Sequence, residues 1–435
     1  MVFRKMLKTP WGDADALRER ELPQARGRTR EALRRDQRER LFAATVAIAV
    51  RRGYSEAAVE DILKLSGVPR GTFYNHFGDK LECYRAMEEE LISGVIVPVE
   101  ERIAGPGSAE ARGREGLQVF LDLFAHQPDA ARACLIEAYA AGLPGVALIR
   151  AAVERIVVLV GETMGEIPGR AEMPIELIRA IVGGWYQIIH RRLRERREAE
   201  LPRLGDELWG WAMSYPSPPQ PLRRRGGRGY VDLGATAPPF AAYNPEQRII
   251  RAFAAVVNRK GYPSTTVSDV ATAASISQTT LHHYFSDKTD LLAAALESSG
   301  AQLIAASLPG ARRARDPLTA VRVGLEAGCG FLAAEPDFAS LRSLGVYAGG
   351  PSAIAIRNRS GSELLDALLQ PILEDLEEVP RVGLEATVGA IYGVLYNEIL
   401  AGRTSHLPEI SPLLTYLALA PLLGAARAAE VATGC

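Results

Sequence analysis

The sequence predicts an all-α protein built from two copies of one helical unit. The chain has 435 residues, which is enough for two or three domains of ordinary size. Only 7% of the residues are aromatic, whereas alanine, leucine, glycine and arginine are abundant, a composition that favours helices. Apolar residues recur at the three- and four-residue spacing of amphipathic helices, and prolines separate these segments. The third observation is that the sequence repeats itself.

The repeat keeps a constant offset of 208 residues over most of its length and an offset of 206 near its end. The pairs at 208 are Asp36 and Asn244, Gly53-Tyr54 and Gly261-Tyr262, Val59 and Val267, Asp61 and Asp269, Gly67-Val68 and Ser275-Ile276, Thr72 and Thr280, Phe77 and Phe285, Asp79-Lys80 and Asp287-Lys288, Pro128-Asp129 and Pro336-Asp337, Tyr139 and Tyr347, and Gly142 and Gly350. The pairs at 206 are Val182-Gly183 and Val388-Gly389, Tyr186 and Tyr392, and Leu201-Pro202 and Leu407-Pro408. Matches along the whole repeat predict two complete subunits fused head to tail.

Residues 214–242 separate the two copies. This stretch is rich in proline and then in arginine and glycine, so it cannot bury a core and is typical of a linker. The predicted segments are a basic arm (1–34), a first helix-turn-helix (HTH) domain (35–82), a first larger helical domain (83–213), the linker (214–242), a second HTH domain (243–290) and a second larger helical domain (291–428).

The N-terminal part of the chain becomes rich in arginine toward the first helix. These residues are Arg26, Arg28, Arg30, Arg34, Arg35, Arg38 and Arg40. Two interpretations stay open, a solvated tail or an arm that adds phosphate or minor-groove contacts. We expect the first helix to begin at Asp36 as its N-cap and a later long helix to end before Pro98.

Residues 65–80 have the pattern of an HTH turn and its second helix. Val68, Phe73 and Phe77 fall on one side of a short helix, where they can pack on the preceding helix. Gly67 lies where a tight turn needs a positive φ, and Asp79 can cap the next helix. In the second copy, Ser277 can cap the equivalent of this short helix. The polar side chains on the other side suit the major groove of DNA.

The same residues resemble the DNA-binding signature of tetracycline-repressor-like (TetR/AcrR) transcriptional regulators. The resemblance rests on Gly67-Val68, Gly71-Thr72-Phe73-Tyr74, His76-Phe77 and Asp79-Lys80. It implies that three N-terminal helices bind a double-stranded DNA operator and that the larger helical part binds a ligand and dimerises through its last two helices. Here the resemblance implies these functions twice, with an intramolecular pseudo-dimer formed by helices at about 174–196, 202–215, 384–402 and 408–425. Further homodimerisation stays open.

The two HTH domains expose different candidate DNA-binding residues. The first set is Arg70, Gly71, Thr72, Tyr74, Asn75, His76 and Lys80, and the second set is Thr265, Thr266, Gln278, Thr279, Thr280, His282, His283 and Lys288. Arg70 can bind guanine and Gln278 can bind adenine, whereas the family resemblance implies phosphate contacts for Tyr74 and Lys80. Because the exposed residues of the two domains differ, we predict an operator whose two half-sites differ in sequence. The alternative is that the second domain no longer binds DNA.

The family resemblance also implies a small-molecule effector in each larger helical domain. Candidate contact residues are Phe124, Tyr139, Trp185, Tyr186, His190, Phe331, Tyr347, Tyr392 and Tyr396. The alternative for each of them is an ordinary place in the core. Few of these side chains carry charge, so we expect an apolar or aromatic effector.

Other classes of protein receive little support. Nucleophile-elbow, P-loop, dinucleotide and zinc-protease motifs are not found, so neither an enzyme nor a cofactor is expected. The cysteines (Cys83, Cys134, Cys329 and Cys435) are scattered, which disfavours disulfides and zinc. The formal net charge of −1 leaves DNA binding to local basic patches. We expect no membrane span and a cytoplasmic protein of bacterial type. A third class is a ligand-binding or protein-interaction module that has lost DNA binding.

Overall fold

The computed structural model describes residues 8–18, 29–141, 143–223, 243–376 and 380–434, and nearly all of them are helical. The prediction of an all-α protein is confirmed. Arg26, Arg28, Gly142, Cys435 and residues 224–242 of the predicted linker lie outside the described residues. Tyr215 and Leu222, in the described part of that stretch, are buried, so the prediction that it cannot contribute to a core is wrong there.

The first copy contains a short strand pair and nine α-helices among its described residues. They are β1 (Lys8–Thr9), β2 (Gly12–Asp13), α1 (Arg30–Arg52), α2 (Val59–Ser66), α3 (Arg70–His76), α4 (Lys80–Ile103), α5 (Ala109–His126), α6 (Pro128–Leu135), α7 (Leu143–Gly165), α8 (Ile175–Arg194) and α9 (Gly205–Met213). Short 3-10 turns at Asp15–Arg18, Glu137–Tyr139 and Glu198–Leu204 complete it.

The second copy follows the same order with two additional short helices. Its helices are α10 (Pro245–Lys260), α11 (Val267–Ala274), α12 (Gln278–Tyr284), α13 (Lys288–Ala311), α14 (Pro317–Ala334), α15 (Pro336–Ser340), α16 (Val346–Ala348), α17 (Gly350–Leu373), α18 (Arg381–Leu400), α19 (Ser411–Leu423) and α20 (Ala425–Thr433). The additional helices are α16 and α20. A π-helical turn covers Leu341–Gly345, and a 3-10 turn covers Thr404–Ile410.

The chain separates into two compact units whose border differs from the border between the repeats. One unit holds residues 1–166 and 189–206, and the other holds residues 167–188 and 207–435. The second unit therefore contains most of α8 and α9, although both helices belong to the first copy.

The packing inside each copy repeats along with the sequence. A Cβ added to Gly116 would lie 2.7 Å from Cγ1 of Ile103, at the crossing of α4 and α5. At the equivalent crossing of α13 and α14, a Cβ on Gly324 would lie 3.4 Å from the Cβ of Ala311. Both pairs keep the offset of 208, so the same small residue allows close helix approach in both copies.

The first helix begins earlier than the sequence predicts. Thr29 is its N-cap, with Oγ1 accepting a hydrogen bond from the backbone N–H of Ala32 at 3.1 Å. Asp36, the predicted cap, lies inside the helix and accepts a hydrogen bond from Nε of Arg40 at 2.9 Å. The boundary of the basic arm at residue 34 is therefore wrong, because Arg30 and Arg34 are already helical.

The prediction that Pro98 ends a helix is also wrong. Helix α4 continues through Pro98 to Ile103, although proline removes one helical hydrogen bond. Val99 and Ile103 beyond it are buried, so their packing offsets the missing bond.

One helix contradicts the expectation that no segment has the length and composition of a membrane span. Lys288–Ala311 (α13) is apolar and long enough to meet that description. It packs along α14 and α17 inside the second unit, as the core helix of a folded domain does.

Candidate nucleic-acid interface

The first HTH domain folds as its sequence pattern predicts. Gly67 ends α2 with φ 73°, and the turn leads directly into α3. Val68, Phe73 and Phe77 are all buried, which fixes the orientation of α3 against the helices before it. At the start of α4, the carboxylate of Asp79 accepts a hydrogen bond from the N–H of Glu82 at 2.8 Å.

Helix α3 exposes part of the predicted DNA-binding set. Arg70, Gly71, Tyr74 and Asn75 are exposed, and 46% of Tyr74 is accessible. Nη1 of Arg70 lies 3.1 Å from a carboxylate oxygen of Glu60, and both side chains are mostly in solvent. Such an exposed pair is weak, so DNA phosphates or bases can replace the carboxylate.

Two members of that set are less accessible than the sequence predicts. Thr72 and His76 are half-buried. Nε2 of His76 lies 3.0 Å from Oε1 of Gln37 in α1. Burial lowers the pKa of His76, and the nearby Arg34 and Arg38 lower it further. The imidazole thus links α3 to α1 and is only partly accessible to DNA.

Lys80 supports the turn after α1. Its Nζ donates hydrogen bonds to the carbonyl oxygens of Tyr54 at 2.9 Å and Ala57 at 2.7 Å, and lies 4.3 Å from the centre of the Tyr54 ring. Burial lowers the pKa of the ammonium. The geometry gives Lys80 a structural contact inside the domain, and its predicted phosphate contact stays a prediction.

The second HTH domain uses the same backbone geometry. Ser275 takes the left-handed conformation of the turn with φ 55°. Oγ of Ser277 caps α12 by accepting a hydrogen bond from the N–H of Thr280 at 3.0 Å, as predicted. Gln278, Thr279 and Thr280 are exposed on α12, and so are His282 and His283.

Thr265, Thr266 and Lys288 have structural partners in the second domain. Thr265 is only 2% exposed, and its hydroxyl donates to the carbonyl of Gly261 at 2.8 Å. The prediction that Thr265 contacts DNA through its side chain is wrong for this conformation. Thr266 is exposed and caps α11, and Nζ of Lys288 donates to three carbonyl oxygens, as Lys80 does to two.

The N-terminal segment 8–18 packs on the first HTH domain, which the sequence did not predict. The Trp11 ring lies 5.2 Å from the Phe42 ring, and Nη1 of Arg40 donates to the carbonyl of Leu17 at 3.0 Å. Asp15 and Arg51 form an ion pair at 2.7 Å. Arg40 is therefore buried, whereas Arg30, Arg34 and Arg35 remain exposed on α1 for contact with phosphate.

The predicted effector residues do not gather in one place. An apolar cavity of about 60 Å³ lies in the second copy among α13, α14, α17, α18 and α19, and Tyr392 is the one predicted residue in its wall. Phe331 and Tyr347 pack on the core of the second HTH domain, and the Tyr347 ring lies 6.1 Å from the Tyr396 ring.

In the first copy the candidates also divide between places. Trp185 stacks on Trp209 with ring centres 6.5 Å apart. Tyr139 contacts His190, also at 6.5 Å, and Phe124 packs against Phe120. Tyr186 is half-buried. Cys83, Cys134 and Cys329 are buried, and the described residues contain no disulfide or cluster of metal-binding side chains.

Two HTH units in one helical chain define a class of DNA-binding protein, and comparison identifies the family. Residues 41–87 and 249–295 each match the sequence model of the "Bacterial regulatory proteins, tetR family". The chain thus contains two domains of the tetR family of bacterial regulatory proteins, which is consistent with a tandem-duplicated regulator of that family.

One curated relative is similar over about a quarter of the chain. It is 29% identical over 105 residues to the HTH-type transcriptional activator FasR of Mycolicibacterium smegmatis, a match that covers 24% of this chain and 48% of FasR. The match thus spans about half the length of that relative.

Solved structures are similar over less than half of the chain. The fatty acid degradation regulator FadR of Bacillus halodurans has a TM-score of 0.37 and 21% identity, over 41% of this chain and 98% of that chain. PfmR of Thermus thermophilus, a TetR family transcriptional regulator, has a TM-score of 0.33 and 27% identity, over 42% of this chain and 97% of that chain.

Proposed function

We propose that the chain is a ligand-responsive transcriptional repressor that binds an operator with two unlike half-sites. The observation that carries this proposal is the pair of HTH domains with the same turn geometry and different exposed side chains. Helix α3 presents Arg70 and Tyr74, whereas α12 presents Gln278, Thr280 and two histidines. Different donors and acceptors in the major groove select different base pairs.

The intramolecular pseudo-dimer is supported by the contacts of α8 and α9 with helices of the second copy. A Cβ on Gly183 would lie 3.5 Å from Cα of Gly393, and a Cβ on Gly389 would lie 2.4 Å from the Cβ of Gln187. With the offset of 206, Gly183 corresponds to Gly389 and Gln187 to Gly393. Gly183 approaches Gly393, and the equivalents of these two residues, Gly389 and Gln187, approach each other as well. Such reciprocal contacts are the pattern of a two-fold interface.

Two hydrogen bonds extend this interface. Nε1 of Trp211 donates to Oγ1 of Thr387 at 3.1 Å, and the hydroxyl of Tyr215 donates to the carbonyl of Leu417 at 2.9 Å. All four residues are buried. These contacts support an interface between the two copies within one polypeptide. A single folded chain would then present both recognition helices, α3 and α12.

The effector has different affinities for two conformations of the chain, of which one binds the operator. An effector with equal affinity for both conformations would leave the equilibrium between them unchanged. The apolar cavity beside Tyr392 supports a small apolar ligand. Repression is tested with a reporter gene behind the selected operator, where reporter activation by the chain would contradict a repressor.

The deciding experiment is selection of bound sites from random duplex DNA with the purified chain, followed by the mass of the complex. We expect one chain on two dissimilar half-sites about one helical turn apart. A palindrome bound by two chains would contradict the proposal.

An alternative function is a regulator whose second HTH domain no longer binds DNA. It is favoured by the absence of lysine and arginine from Gln278–Tyr284, since basic side chains supply much of the affinity for DNA. Selection of a single half-site per chain would support this alternative.

Arg70 provides a test at the level of one base pair. Arg70→Ala removes a bidentate contact to guanine and is expected to relax base preference at one position, at a loss of about 1–3 kcal/mol of discrimination. Tyr74→Phe is the control, because loss of a phosphate contact weakens binding to all sequences alike. An unchanged consensus with Arg70→Ala would exclude this base contact.

A further inference from the structure

Two arginine side chains are buried in the second copy without a carboxylate beside them. Arg342, in the turn between α15 and α16, is 3% exposed, and Arg357, on α17, is 2% exposed. Neither forms an ion pair with any residue that the structure describes. A buried charge is costly unless an opposite charge accompanies it, so the pair calls for an anion.

The partners of Arg342 are all neutral. Its Nη atoms lie 2.8 Å from Oγ of Ser360, 3.3 Å from Oγ of Ser299 and 3.3 Å from the carbonyl oxygen of Leu296. Burial lowers the pKa of Arg342, and the positive charge of Arg357 lowers it further. The two guanidinium groups thus repel each other in a region with little water.

Arg357 is the less satisfied of the two. Its guanidinium carbon lies 4.1 Å from the centre of the Tyr392 ring and 5.6 Å from that of Tyr347. Its buried Nε has no hydrogen-bond acceptor within the described part of the chain. Aromatic faces hold the cation in place, but they do not supply the two oxygen atoms that a guanidinium binds best.

Tyr392 connects this cluster with the apolar cavity. It lines the cavity together with Gly361, one turn after Arg357 on α17, and with leucines of α13, α14 and α17. The lining is almost wholly apolar. Neither arginine lines the cavity itself, but the Tyr392 ring that contacts Arg357 forms part of its wall.

We infer that the second copy binds an amphipathic carboxylate, whose oxygen atoms pair with Arg357 and Arg342 and whose apolar part enters the cavity beside Tyr392. This inference deepens the effector part of the proposed function and changes the expected ligand from uncharged to anionic. The first copy has no equivalent pair, because Cys134 stands at the position of Arg342. Arg150, which follows Pro144 at the same spacing as Arg357 follows Pro351, is exposed.

The test is isothermal titration of the full chain with octanoate, octan-1-ol, octylammonium and inorganic phosphate, without DNA. We expect octanoate to bind one site per chain at least tenfold more tightly than octanol, and octylammonium not to bind. Equal affinity for octanoate and octanol would overturn the inference. Phosphate that binds as tightly as octanoate would overturn the amphipathic class and leave an inorganic anion site.

Two variants locate the site. Arg357→Met is expected to lower octanoate affinity at least tenfold and to leave octanol binding unchanged, whereas Arg150→Met, the matched control in the first copy, changes neither. The melting temperature of unliganded Arg357→Met should be equal to or above that of the parent chain, because an uncompensated charge has been removed. A lower melting temperature, or unchanged octanoate affinity, would overturn the inference.

The effect on DNA is a separate measurement on the selected operator. Octanoate that binds at Arg357 without changing operator affinity would contradict the regulatory role in the proposed function, while the ligand site would stand. Loss of operator affinity on adding octanoate, absent in Arg357→Met, would support both.

Discussion

The two HTH domains have nearly the same internal bonds and quite different surfaces. Asp79 and Asp287 cap the following helix, Lys80 and Lys288 bind carbonyl groups of the preceding turn, and a residue with positive φ ends α2 and α11 alike. On the outside, Arg70 and Tyr74 of α3 correspond to Gln278 and His282 of α12. The comparison teaches that the turn depends on a few internal contacts, which leave the exposed face able to differ.

The interiors of the larger domains differ in charge as well. In the first copy, Glu88 is fully buried, and neither carboxylate oxygen has a hydrogen-bond partner among the described residues. Leu296 occupies the equivalent position in the second copy, and its carbonyl accepts a hydrogen bond from Arg342. The first copy thus buries a carboxylic acid at this position, whereas the second copy buries an arginine beside it. We therefore expect the two interiors to respond differently to pH and to ligands.

The largest effect is expected where the two copies contact each other. Gly389→Val places side-chain atoms where a single Cβ already lies 2.4 Å from the Cβ of Gln187, so α8 and α18 must separate. We expect the free energy of unfolding to fall by about 3 kcal/mol, measured by urea denaturation.

The matched control is Gly210→Ala in α9, where an added Cβ contacts nothing within 4 Å. It should stabilise the helix by about 0.5–1 kcal/mol. A Gly389→Val chain as stable as the parent would show that the two copies do not pack through this crossing.

Glu88 should make the first copy sensitive to pH. Burial raises the pKa of Glu88 from 4.5, its value in the unfolded chain, to about 8 in the folded chain. Between pH 4.5 and pH 8, the folded chain therefore holds a proton that the unfolded chain has released. Stability therefore falls as pH rises through this window, by up to about 1.4 kcal/mol per pH unit, and levels off above pH 8. Urea denaturation at pH 6 and pH 7.5 measures the slope.

The control is Glu88→Leu, which gives the first copy the residue of the second. It should remove this part of the pH dependence, so the two curves converge at low pH. A parent chain whose stability rises from pH 6 to pH 7.5 relative to Glu88→Leu would contradict a neutral buried Glu88.

The two lysines test whether the shared internal bonds matter equally. Lys80→Met and Lys288→Met each leave carbonyl oxygens of the preceding turn without their donor, and each should cost about 1–2 kcal/mol in the free energy of unfolding. If Lys80 contacts phosphate as well, Lys80→Met should also reduce the slope of log operator affinity against log salt concentration by about one, because one fewer counterion is released on binding. Unchanged stability with a reduced salt slope would assign Lys80 to DNA alone.

The smallest effect concerns the caps of the two equivalent helices α2 and α11. Thr266 caps α11 through its side chain, whereas the N-cap of α2 is Ala58, which has no side-chain oxygen. Thr266→Ala should destabilise the chain by about 1 kcal/mol, and Ala58→Thr should stabilise it by a similar amount. Thermal melts that show the same sign for both changes would contradict equivalent roles for the two positions.

Local patterns explain what could be predicted from the sequence. The buried face of α3, the positive φ of Gly67 and the caps at Asp79 and Ser277 each depend on a few neighbouring residues, and all of them are confirmed. The repeat itself needs only a comparison of the chain with itself.

Tertiary contacts decided the rest. The start of α1 at Thr29 and the passage of α4 through Pro98 depend on packing that periodicity does not show. The burial of Thr265 and of Arg357 could not be predicted either, because threonine and arginine are usually exposed. Arg357 is followed directly by Asn358, Arg359 and Ser360, so the local sequence does not distinguish it from an exposed arginine.

The fusion of two family domains in one polypeptide changes how substitutions act. In a homodimer every mutation appears twice, so a change that suits one contact is imposed on its symmetric copy. Here one codon changes one side only. For the two-part operator proposed above, occupancy would depend on the first power of protein concentration, because no encounter between separate subunits has to come first.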